Sequence, residues 1–133
     1  MRFVVCTVVH HPADARIYFR QIRALLDAGH HVTYIAPHAD FPERAGGALT
    51  AVTIPRAAGR RRLGALRAAR AALREHAPGA DLLLIHDPEL LLVLPPRRVR
   101  PPTVWDVHED TAAAEGTYVV LGTTGWVWRN RAL

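Results

Sequence analysis

The chain has 133 residues and a mass of 14.7 kDa; 50% of its residues are apolar and 22% charged. That length and balance fit one globular domain with its own core and exclude a disordered tail or a disulfide-stapled miniprotein. The formal charge is +5 and the pI about 10.6. Every basic residue other than histidine is arginine, and neither lysine nor serine occurs. With so much alanine and proline beside it, this basicity reads as compositional drift, and zinc-finger, RNP and GXXG patterns are missing, so no nucleic-acid partner is expected. The lone Cys6 has nothing to pair with in the chain, Met1-Arg2 opens a short apolar run with no cleavage-type site, and no apolar run approaches about 18 residues. These features predict a cytoplasmic protein without a leader or a membrane-spanning helix.

Phe3 to Val9 is continuously apolar and β-branched, the pattern of a strand buried on both faces, and His10-His11-Pro12 ends it. Asp14 is a candidate helix cap and Gly29 a left-handed stop. Between them Tyr18, Ile22, Leu25 and Leu26 share one face. His31 to Ala36 reads as a second strand, which completes a βαβ unit. Residues 38–50 read as a loop and Ala51 to Ile54 as a short strand. Arg60 to Ala77 reads as a helix whose apolar stripe is Leu63, Leu66 and Leu73, and Pro78-Gly79 stops it. Asp81 to Ile85 is a further buried strand. Asp87-Pro88-Glu89 has the form of a helix start, with Asp87 as its cap, and Pro95-Pro96 closes that helix early. Thr103 to Val107 is the next strand. Tyr118 to Leu121 has strand character and Trp126-Val127-Trp128 reads as an aromatic anchor. The alternation predicts an α/β fold: a mostly parallel sheet with helices on both faces.

Ligands of such sheets bind outside the carboxyl ends of the strands. The first strand runs into His10-His11-Pro12-Ala13-Asp14-Ala15-Arg16, the Asp81–Ile85 strand into His86-Asp87, and the Thr103–Val107 strand into His108-Glu109-Asp110. Three histidine-and-acid clusters are therefore expected on one rim. Arg16 is expected either to grip a phosphate or to pair with Asp14. No P-loop, no Gly-x-Gly-x-x-Gly and no Gly-x-Ser-x-Gly is present, which argues against nucleotide hydrolysis, dinucleotide-dependent redox chemistry and serine hydrolysis. His86, Asp87, His108 and Glu109 are metal-capable types, but no His-x-x-x-His helix or cysteine pair supports them, so no metal is expected. Cys6 reads as a small core residue. Arg67, Arg70 and Arg74 share a helix face below Arg60-Arg61-Arg62; this is either a solvated face or a contact for an anionic membrane surface, through which the protein would be peripheral at the inner face.

Four segments, in order, resemble the N-terminal domain of GT-B glycosyltransferases of family 4, formerly group 1. They are His11-Pro-Ala-Asp-Ala-Arg-Ile17, Leu25-Leu-Asp-Ala-Gly-His-His-Val-Thr33, Asp81-Leu-Leu-Leu-Ile-His-Asp-Pro-Glu-Leu90 and Val104-Trp-Asp-Val-His-Glu-Asp110. The resemblance covers residues 1–110 and implies a Rossmann-like three-layer domain on the acceptor side of a two-domain cleft, the N-terminal half of a GT-B fold. Residues 111–133 depart from the pattern and are expected to be an extension or a boundary.

The resemblance implies transfer of a sugar from a nucleoside diphosphate sugar to an acceptor hydroxyl, with retention and no cofactor. In the family a C-terminal domain with a Glu-x7-Glu motif holds the donor; it is not in these residues, so the chain alone is expected to be a poor catalyst. The resemblance puts His108 beside the transferred sugar and Glu109 next to it as the catalytic pair. Asp110, His11, Asp14, Arg16, His86 and Asp87 are the expected donor- or acceptor-binding residues. Two other readings remain open: a non-catalytic flavodoxin-like binding module, and half of a GT-B sugar-nucleotide epimerase.

Overall fold

The computed structural model describes residues 1–37, 47–107, 117–121 and 126–129, with backbone only for Val107 and the last two segments. Seven strands form one sheet: β1 Arg2–Cys6, β2 His31–Pro37, β3 Leu49–Ile54, β4 Leu82–Ile85, β5 Thr103–Val107, β6 Thr117–Leu121 and β7 Trp126–Arg129. Their spatial order is β3-β2-β1-β4-β5-β6-β7. The first five are parallel, whereas β6 pairs antiparallel with β5 and β7 antiparallel with β6. The parallel part is a Rossmann-like α/β sheet. Its order reverses between β1 and β4, and in sheets of this kind ligands bind outside the carboxyl ends of the strands at such a reversal.

β1 stops at Cys6 rather than Val9 for a physical reason. Thr7 still donates its N–H to Ile35, but the Val8 N–H turns to the Asp87 carboxylate at 2.7 Å. A side chain from the end of β4 thus takes over the backbone donor that a longer ladder would use.

Helix α1 joins β1 to β2. It is wound as a π-helix over Ala15–Ile22 and as an α-helix over Arg23–Asp27. Asp14 caps it, accepting from the Arg16 and Ile17 N–H groups. Gly29 follows at φ 84°, a left-handed position that a side chain would strain. Ile17, Tyr18 and Ile22 pack on Val5, Val32, Tyr34 and Ala36, one face of the sheet.

The other face carries helix α2, Arg62–His76, entered by a 3₁₀ turn at Gly59–Arg61 and followed by Gly79 at φ 82°. Its buried side is Ala65, Ala69, Ala72 and Leu73. Leu63 is not part of the stripe expected from the sequence; it stands 60% exposed. Alanines at positions 65, 69 and 72 present so little bulk that the helix lies close on Val4, Cys6, Ile35 and Leu83 of the sheet. A 3₁₀ turn over Pro88–Val93 takes the place of the short helix after β4 and packs beside α2. Cys6 is fully buried, and burial pushes its thiol pKa up, as a core residue requires. No helix among the described residues is long and apolar enough to cross a membrane.

Candidate functional site

The rim at the carboxyl ends of β1 and β4 is built by contacts between residues far apart in the chain. Asp87 immediately follows the His86 that succeeds β4. A 3₁₀ turn does start at Pro88, as Asp-Pro-Glu suggests, but the Asp87 side chain makes no cap to it, contrary to the reading of Asp87 as a capping carboxylate. Its Oδ2 instead accepts from the Thr7 hydroxyl at 2.8 Å and from the Val8 N–H at 2.7 Å. The Thr7 oxygen in turn accepts from the His10 N–H at 3.1 Å, which shapes the turn after β1. His10 stands between two carboxylates, with Nε2 3.4 Å from Asp87 Oδ1 and Nδ1 3.7 Å from Asp14 Oδ2. Its side chain is 28% exposed, so one edge of the imidazole meets solvent.

These contacts move both ionisations. The hydrogen bond to Asp87 raises the His10 pKa, against a smaller opposing effect of burial, and the charges of Asp87 and Asp14 add to the rise while Arg56 opposes it. Burial works to raise the Asp87 pKa, but the bonds from His10, the Val8 N–H and Thr7 together outweigh it and hold the pKa below its ordinary value. A raised histidine pKa stabilises fully below the ordinary 6.5, and that stability fades as pH climbs through the raised value. A lowered carboxyl pKa stabilises above the ordinary 3.8, and that stability fades as pH falls through the lowered value. The His10–Asp87 contact is therefore strongest between those two ordinary values. Replacing His10 with glutamine is expected to cost stability at about pH 5 and much less at about pH 9. Urea titrations at both pH values check this; a pH-independent loss would show that His10 acts only through packing.

A second cluster lies on the α1 side of β4 and β5. Asp106, fully buried on β5, accepts from Arg16 Nη2 at 2.7 Å and from the Gln21 amide. His86 Nδ1 lies 3.6 Å from its other oxygen, Oδ2. Arg16 thus pairs with Asp106 and not with Asp14, whose carboxylate is occupied by the helix cap. The Arg16 side chain is 35% exposed, and among the described residues its Nε and Nη1 have no hydrogen-bond partner.

The structure therefore brings together five residues expected at the rim or in its clusters: His10, Asp14, Arg16, His86 and Asp87. His11 is exposed and turns its Nδ1 to the Ala13 N–H at 3.0 Å. His86 and Asp87 are buried. His108, Glu109 and Asp110 lie outside the described residues; position 108 directly follows the last residue of β5. Sequence reasoning passed over Asp106 and Gln21. Asp106 carried a signal, because a carboxylate inside an apolar strand needs a buried donor or cation to stay there. Gln21, on a largely polar stretch of α1, carried none. Among the described residues no group of three or more His, Cys, Asp or Glu side chains is arranged to hold a metal ion.

Chemically, the rim offers an imidazole edge, a partly committed guanidinium and a half-buried carboxylate. These can hydrogen-bond sugar hydroxyls or an anionic oxygen, with Asp87 and Asp106 fixing them from behind. No curated protein matches the chain. Residues 15–133 match the pattern of Glycosyltransferase Family 4, a stretch that runs from the start of α1 through β7. With that match over most of its length, and with a Rossmann-like sheet whose polar rim sits at the strand-order reversal, the chain belongs to glycosyltransferase family 4, as an N-terminal domain of the GT-B group 1 type.

Proposed function

We propose that this domain forms the acceptor-side wall of a site that moves a sugar from a nucleoside diphosphate sugar to a hydroxyl, with retention of configuration. The observation that carries the reading is the convergence of His10, Asp14 and Arg16 from one loop and helix with His86, Asp87 and Asp106 from two further strands. Such a transfer needs an oriented hydroxyl and stabilisation of charge on the departing diphosphate. His108 acts beside the transferred sugar, and Glu109 and Asp110 orient it or bind acceptor hydroxyls. His11, Asp14 and Arg16 face the ligands. The buried His86 and Asp87 serve by holding the loops that carry them. The donor nucleotide is gripped mainly by a second Rossmann-like domain, without which this domain turns over little. The protein acts in the cytoplasm, with the Arg60–Arg74 face meeting an anionic membrane surface.

The test is turnover of UDP-, GDP- and ADP-sugars by this chain alone and together with a C-terminal GT-B domain. Product is expected only from the combination, and His108→Ala is expected to lower turnover at least about tenfold. Robust turnover by this chain alone would refute the division of labour. Equal activity of His108→Ala in the combined protein would favour a binding module over an enzyme.

A further inference from the structure

The α2 side of the sheet changes character along its strands. Toward the carboxyl edge it is apolar, with Cys6, Ile35 and Ile54 in the core under α2. Strand alternation puts Arg2 and Val4 on the same side as Cys6, His31 and Thr33 on the side of Ile35, and Thr50 on the side of Ile54. The register brings these positions together: Arg2 lies opposite His31, Val4 opposite Thr33, and Thr33 opposite Thr50. The amino edge of a core-facing surface thus carries a guanidinium, an imidazole and two hydroxyls.

Helix α2 does not cover this patch. It ends at His76, and the Pro78-Gly79 turn carries the chain back to the start of β4. A cleft of about 320 Å³ is left between the helix end and the starts of β1, β2 and β3, at the small end of the range for ligand pockets. It lies at the opposite edge of the sheet from the His10–Asp87 rim. Glu75 and His76 line its wall. His76 falls one turn beyond Ala72, on the buried side of α2, and its Nε2 is 3.9 Å from Glu75 Oε1.

Opposite charges line the cleft without meeting. Among the described residues the Arg2 guanidinium has no hydrogen bond or ion pair, and Glu75 approaches only His76. The Arg2 backbone is fixed nonetheless: its N–H donates to Asp81 Oδ2 at 2.6 Å, and its carbonyl accepts from the Asp81 N–H at 2.7 Å. The floor therefore offers a charged donor fork suited to an anionic group. The wall offers a carboxylate and the negative end of the α2 dipole, which favour a cation. A simple anion would be repelled by the wall and a simple cation by the floor. A ligand carrying both signs satisfies both.

We infer that this cleft binds a small zwitterion, a free amino acid or a dipeptide, with its carboxylate on Arg2 and its ammonium at Glu75 and the end of α2. The Thr33 and Thr50 hydroxyls and the His31 imidazole serve the polar atoms between the two charges. The sugar transfer proposed above belongs to the other edge of the sheet, so the two assignments stand or fall separately.

The experiment is titration of the isotopically labelled full chain, followed by its backbone amide resonances, with single free amino acids and with alanyl-alanine at millimolar concentration. Saturable shifts confined to residues 31–33, 48–50 and 75–80 are expected from one of these probes, and the tighter probe identifies the ligand as amino acid or peptide. The N-acetyl form and the C-terminal amide of that probe, each lacking one charge, are expected to bind at least about tenfold more weakly. Arg2→Gln and Glu75→Gln are each expected to weaken binding by about tenfold or more. Both side chains are exposed, the Arg2 contacts to Asp81 are made by its backbone, and an unchanged melting temperature verifies the fold. Arg23→Ala, exposed on α1, is expected to bind as the parent does. No shift with any probe, shifts centred elsewhere, or equal binding of the N-acetyl or amide form would overturn the proposal. So would Arg2→Gln or Glu75→Gln binding as tightly as the parent.

Discussion

Replacing Arg16 with alanine is expected to lower the unfolding free energy by about 3 kcal/mol, at the lower end of what breaking a buried ion pair costs. The loss comes from the partner left behind. Asp106 is fully buried on the α1 side of β5, and among the described residues Arg16 is its closest cation, at 2.7 Å. Gln21 still donates to this carboxylate and His86 stays near it, so the cost does not reach the upper end. The partial exposure of Arg16 weakens the pair in the same direction. Removing the charge from the other side is gentler. Asp106→Asn keeps one of the two acceptor oxygens, enough for one of the two donors, and frees an Arg16 side chain that can already reach water, and the expected cost is about 1 kcal/mol. Urea denaturation of the two variants reads the asymmetry directly. Equal losses would mean that Asp106 is held by its hydrogen bonds and not by the opposing charge.

Asp87→Ala is expected to cost a similar amount, about 3 kcal/mol, by a different route. No buried charge is stranded. Two buried donors are, the Thr7 hydroxyl and the Val8 N–H, and each unpaired group carries its own desolvation penalty. Asp87→Asn separates the two roles of the residue. An amide oxygen can still accept from Thr7 and Val8, so most stability should return, but the charge facing His10 is gone. The pH dependence attributed to His10 should therefore shrink in Asp87→Asn, to the part that Asp14 supplies, while the loop stays closed. Stability curves for Asp87→Ala, Asp87→Asn and the parent between about pH 5 and pH 9 test this. An asparagine variant as damaged as the alanine one would show that the charge, and not the acceptor, holds the turn.

What the sequence made legible was whatever local chemistry decides. Strand cores came from β-branched apolar runs, and the Pro-Gly and Gly stops fell where the helices end. Asp14 was read correctly as a cap because the N–H groups it binds are two and three residues away. Asp87 was misread for the opposite reason. Asp-Pro-Glu is a sound local start signal, but the groups that claim its carboxylate are Thr7 and Val8 on another strand. Arg16 followed the same pattern: Asp14 is its nearest acid in sequence, and Asp106, 90 residues on, is its partner in space. On α2 the periodicity fitted a leucine stripe, yet only a three-dimensional neighbour could show that the alanine side faces the sheet and Leu63 faces out. The strand character of Tyr118–Leu121 was visible, whereas its antiparallel pairing with β5 is a contact between segments that no local pattern specifies. His10 and His11 are adjacent and chemically alike, and the fold alone distinguishes the one held between carboxylates from the exposed one that accepts from the Ala13 N–H.

The turn after β1 takes its shape from a carboxylate 79 and 80 residues further along the chain. Contacts of such high sequence separation bear the largest loop-closure cost and lower the folding rate accordingly. The first βαβ unit can assemble from neighbours alone, but the turn after β1 must wait until β4 has docked beside β1. The polar rim is thus a late-maturing part of the domain, and any excursion that peels β4 away releases it at once while α1 keeps its own cap.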